Sequence, residues 1–123
     1  MRTGTIKLRG KTYLVCISAR VMIALEEQMG AEADTALEHI LKGQESKQLF
    51  WLLAQMIDAG DRYAKLEGLD NPGTVSEEEL IDLVGLDDLQ NLFRDTAVAA
   101  AVSTKQKVET RAPKNAEATL SEE

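Results

Sequence analysis

The sequence predicts a mainly α protein that opens with a small N-terminal β-hairpin (α+β), the hairpin being followed by about five helices. Three observations carry this expectation. Apolar and polar residues alternate in "IKLRGKTYLV", residues 6–15; apolar residues recur every three or four positions over most of the remaining chain; and Gly, Asn and Pro cluster where that spacing resets. At 123 residues the chain is one domain's worth. Residues 1–102 are expected to form a single hairpin-plus-helices domain, and 103–123 a disordered tail.

In the hairpin, a two-residue loop at Gly10 and Lys11 sets Leu8 opposite Tyr13 and Ile6 opposite Val15, all on one face. Gly at the first loop position suits a type II′ turn, whose twist matches the strands. A two-stranded hairpin is marginal in water. It must therefore pack on helices or pair an edge with another chain.

Ser18 can cap the first helix, on which Val21, Met22, Leu25 and Met29 fall to one side before Gly30 stops it. Asp34 to Lys42 reads as a second short helix that buries Leu37, Ile40 and Leu41 and ends at Gly43. The third helix, from about Ser46 to Leu66, is the longest. A step of about 100° per residue gathers Leu49, Leu53, Met56, Gly60, Tyr63 and Ala64 around one direction, with Phe50, Leu52 and Ile57 at the margins. "EGLDNPGTV" then reads as a surface connection. "SEEELIDLVG" restarts a helix with a capping box, Ser76 and Glu79, and sets three acids where they favour the positive end of the helix dipole. A last helix begins near Asp87, with Leu89, Leu92, Phe93, Thr96 and Ala100 on one face. Beyond Ser103 only Val108 and Leu120 are large aliphatics, too little burial to offset the entropy of ordering the chain.

The net charge is -7, and its excess acid is concentrated. Residues 76–95 carry one Lys/Arg against seven Asp/Glu, whereas the rest of the chain is nearly balanced. No concentrated basic surface is available to displace counterions from phosphates, which argues against direct binding of nucleic acid. The one cysteine allows no internal disulfide. "LFWLLAQMI" is about half of the roughly 20 apolar residues a membrane helix needs, and the N-terminus lacks the order of a signal peptide. A cytoplasmic protein with no membrane contact is expected.

Catalytic, cofactor and metal motifs are not found. There is no glycine-rich phosphate loop, nucleophile elbow or paired-His helix, and no cofactor is expected. His39 stands alone beside Glu38. Cys16 reads as a packed small hydrophobe. Glu77, Glu78, Glu79, Asp82, Asp87 and Asp88 could attract a hard cation, but the spacing of a calcium loop is missing and consecutive helical acids diverge by about 100°. They read as a solvated helix start. Two apolar residues instead sit opposite their helices' buried stripes: Trp51, among Gln55, Asp58, Arg62 and Lys65, and Ile23, beside Glu27 and Arg20. Both are candidate partner-binding residues, Trp being an effective buried anchor, although the hairpin or the last helix could equally cover Trp51.

The hairpin with its "GKTY" turn and return strand, "SARVMIALEEQMG" as first helix, a helix-rich middle, "TVSEEELIDLVGLDDLQNLFRDTAVAA" and a polar tail together resemble the tail assembly chaperones of long-tailed (siphovirus-type) bacteriophages and prophages, over about residues 4–102. The resemblance implies a non-enzymatic factor in the host cytoplasm that coats the long helical tape measure protein, keeps it soluble, and yields to tail tube protein subunits. It implies absence from the mature virion, and a short and a frameshift-extended form. A coat protein also needs self-association, for which the hairpin's edge is a ready template. Two other readings stay open: a structural virion component, such as a tail completion or head-tail joining protein, and a small regulatory enzyme using Cys16 or His39.

Overall fold

A computed structural model describes residues 1–104. The element order is β1 (Gly4–Leu8), β2 (Lys11–Val15), α1 (Ala19–Met29), α2 (Ala33–Gly43), α3 (Ser46–Glu67), α4 (Glu77–Leu83) and α5 (Leu86–Thr104). The hairpin followed by five helices agrees with the fold class read from the sequence.

The strands pair antiparallel with Ile6 facing Tyr13, Leu8 facing Lys11 and Gly4 facing Val15. This corrects the expected register by two residues. The loop is Arg9 and Gly10, with φ of 52° and 77°, so both central residues are left-handed, as in a type I′ turn. Arg9 adopts a conformation that non-glycine residues seldom take, and it displaces Gly10 to the second loop position. An even shift leaves every side chain on its own face, so Ile6, Leu8, Tyr13 and Val15 are all buried as a set.

The core forms around α3. Leu49, Leu52, Leu53, Met56 and Ile57 are fully buried, and Phe50, Ala59, Gly60 and Ala64 complete a surface packed by β2, α1, α2, α4 and α5. Each fully buried aliphatic side chain contributes about 1.5–3 kcal/mol by its removal from water. Gly60 is needed where β2 crosses: a Cβ there would lie 1.8 Å from the Leu14 carbonyl oxygen. Strand and helix backbones touch at that point. A Cβ on Gly4 would meet Ala99 at 3.3 Å, which marks a similarly close seat of α5 on β1.

The helix ends agree with the sequence, with small differences. Ser18 accepts from the Val21 amide, and α1 ends at Gly30. Ser76 and Glu79 form the reciprocal capping box. Helix α2 includes Gly43, and Gln44 takes the left-handed cap. On α2 Ile40 is buried, while Leu37 and Leu41 are half-buried. Met22 is exposed, not buried with Val21 and Leu25. Helix α5 starts at Leu86 and runs through Thr104, two residues past the expected limit of the domain. Ser103 belongs to the folded part: it is buried, its hydroxyl accepts from the Ile17 amide at 2.6 Å and donates to the Arg2 carbonyl at 3.2 Å. The rest of the expected tail, 105–123, lies outside the described residues.

Candidate partner-binding surface

The residues with chemical potential are dispersed. Cys16 is fully buried, and burial pushes its thiol up, away from the reactive thiolate. His39 is exposed on α2, on the turn where Glu38 pairs with Lys42. The acids of α4 serve its start: Glu79 accepts from the Ser76 amide, which lowers its carboxyl, and Glu77 lies 3.8 Å from Lys47. Among the described residues no group of three or more His, Cys, Asp or Glu side chains is placed to hold a metal ion.

Side chains converge instead on an open apolar cleft of about 500 Å³ between the start of α1 and the C-terminal part of α3. Met1, Ala19, Ala59, Tyr63 and Leu66 line it, and Arg20, Arg62 and Lys65 form its charged rim. Among the described residues no carboxylate lines it. Arg62 is bonded to Asp58 at 2.8 Å and Lys65 to Asp61 at 3.0 Å, one turn apart on the same helix. Arg20 has no ion-pair partner among the described residues. The cleft thus combines an apolar floor with a cationic rim, a surface suited to the apolar stripe of an amphipathic helix with acidic flanks.

Ile23 lies one turn beyond Ala19 and Arg20 on α1, and it is 56 % exposed. It does not line the cleft, but shares the exposed side of α1 with Arg20. Trp51 has a different setting: it is half-buried and packed against the core. It stands 11 residues, or about 16 Å along the helix, from Arg62. The two sequence candidates therefore do not form one patch. The side of α3 opposite its spine is half-buried at Trp51, Gln55 and Asp58 and exposed at Arg62 and Lys65, so Trp51 sits at the more covered end of it. Arg20, Tyr63 and Leu66, which the helical wheel left unremarked as a group, line the cleft, and Leu66 is 84 % exposed at the end of α3.

The two edges of the hairpin are a second feature. On β2 the outward Leu14 amide donates to Asn71 Oδ1 at 2.9 Å, and just beyond the strand Cys16 donates to the Met56 carbonyl of α3 at 3.3 Å. Leu14 faces Thr5 across the ladder. Since Leu14 directs its amide outward, the pair is a non-hydrogen-bonded one, and Thr5 and, two residues on, Lys7 direct their N–H and C=O groups to the opposite edge. Among the described residues those groups of Thr5 and Lys7 have no hydrogen-bond partner.

No helix among the described residues is long and apolar enough to cross a membrane. No protein-family model, curated protein or solved structure matches the chain.

Proposed function

We propose that this protein is a non-catalytic phage tail assembly chaperone, which binds and solubilises the long helical tape measure protein and helps recruit tail tube subunits. The observation that carries the reading is the open apolar cleft with its cationic rim, with Ile23 exposed on α1 one turn from its lining residues Ala19 and Arg20. An elongated helical client exposes apolar stripes along its length, and a small factor protects them by covering each with a matching groove. The open β1 edge supports the second requirement of a coat, contact between neighbouring copies. The element order and the residue patterns that resemble this family supply the phage setting. Together they favour work in the host cytoplasm and absence from the finished virion.

Co-expression with the long helical product encoded beside it tests the reading. The client becomes soluble and co-purifies with several copies of this chain. An insoluble client, with this protein free in solution and present at fixed copy number in purified particles, would favour a structural virion component.

A further inference from the structure

The start of the acidic segment and the cleft lie at opposite ends of α3. Glu77, at the start of α4, sits beside Lys47 at the N-terminal end of α3, whereas Arg62, Lys65 and Leu66 of the cleft are at its C-terminal end. The 15 residues from Lys47 to Arg62 span about 22 Å of helix. The acidic end is also apolar: Ile81, Leu83 and Leu86 are 43 %, 40 % and 89 % exposed, interleaved with Glu78, Asp82, Asp87 and Asp88. The cleft end has the inverse character, with Arg20, Arg62 and Lys65 around exposed Met1 and Leu66.

We propose that the cleft seats the α4–α5 junction of a second copy, Leu83 and Leu86 entering the apolar floor while Asp82, Asp87 and Asp88 approach Arg20, Arg62 and Lys65. Charge complementarity selects this occupant: one surface has carboxylates around apolar side chains, and the other has Arg20, with no ion-pair partner among the described residues, beside Arg62 and Lys65, each paired within its own helix, around an apolar hollow. A copy cannot fill its own cleft: Ser103 of α5 bonds Ile17 and Arg2, next to Ser18 and Met1 of the cleft, and the 17 residues of unbroken helix back to Leu86 span about 25 Å. The contact is therefore between molecules, and it is heterologous, so each copy keeps one free end and copies add head to tail. The self-seating stands whatever the client is. Its consequence, that a neighbouring copy covers the cleft until a client helix displaces it, rests on the chaperone reading.

Sedimentation velocity of the protein alone tests the inference, from micromolar to millimolar concentration at low and high salt. The expected result is association that grows with concentration and weakens with salt. Leu86→Asp removes the apolar entry at one end, and the double variant Arg20→Glu/Leu66→Asp spoils the other. All three positions are exposed, so both proteins keep the wild-type melting temperature. Each alone loses the salt-sensitive association by about tenfold or more in Kd. An equimolar mixture, which retains one intact junction and one intact cleft, forms a one-to-one dimer and nothing larger. A wild type that stays monomeric at millimolar concentration, variants that associate as the wild type does, or a mixture that stays monomeric would each overturn the proposal. None of these results bears on whether a client is bound, which co-expression reads separately.

Discussion

The two edges of the hairpin have the same length and nearly the same composition, but different fates. The β2 edge is built into the molecule: Gly60 lets α3 touch the Leu14 carbonyl, Asn71 takes the Leu14 amide, and Met56 receives Cys16. The β1 edge directs the backbone groups of Thr5 and Lys7 outward with no partner among the described residues. The contrast shows how a hairpin too small to stand alone is held. One edge and one face are packed by helices, and the remaining edge is left to solvent or to another chain, with Lys7 as a charge that discourages indiscriminate pairing.

Substitutions that attack the closed edge carry the largest effects. Gly60→Val sets side-chain atoms against the Leu14 backbone, where neither element can yield. We expect a loss of about 3 kcal/mol or more, read by chemical denaturation, because the overlap is with main chain, not with a flexible side chain. Asn71→Ala is next. It leaves the Leu14 amide unpaired and takes one partner from Asp61, to which the Asn71 side chain donates at 3.1 Å. A loss of about 1–3 kcal/mol is expected, the cost of orphaning a part-buried donor.

The open edge should respond in the opposite manner. Lys7→Pro removes an amide that has no partner within the fold, so its cost in stability should be under about 1 kcal/mol, as Pro is tolerated on strand edges. Its effect should appear instead in any pairing of copies through β1, read as the salt-insensitive part of self-association. A stability loss as large as that of Asn71→Ala would show that the β1 edge is not free.

The smallest effect is a pH dependence of the closed edge. The Asn71 amide, with Lys65 beside it, holds the Asp61 carboxyl below its ordinary value of 3.8. Its stabilisation is fully present above that value and is lost as pH falls through the lower folded value. Stability should therefore decline below about pH 4, and Asp61→Asn should have a shallower acid limb than the wild type.

Helix α3, the capping box at Ser76 and the buried face of the hairpin were legible in the sequence because each depends on neighbours within a few residues. The details that failed depend on distant backbone. The register moved because Arg9 accepts a left-handed conformation, a choice no local pattern announces. Asn71 read as part of a surface connection, yet it plugs a strand 57 residues away. Ser103 fell at the edge of a polar stretch, yet it joins residues 86 and 101 positions away. Gly60 carried a readable signal: a glycine inside a strong helical pattern marks a close backbone approach. The cleft was half legible. Ile23, beside Arg20, stood out on the helical wheel of α1, but the wheel does not show which part of an outer side a neighbouring element covers, and on α3 Trp51 is half-buried where Arg62 and Lys65 are exposed.

The chaperone reading meets its most direct test at the cleft. The co-expressed helical client would be captured on wild-type protein and on the double variant Arg20→Glu/Ile23→Asp, the fold of each being verified by its melting temperature. A client recovered in several-copy complexes with the wild type, and reduced at least about tenfold with the variant, a difference of about 1.4 kcal/mol, is the predicted result. Equal recovery on both proteins would contradict the cleft as the client's seat, and no recovery on either would contradict the chaperone reading itself.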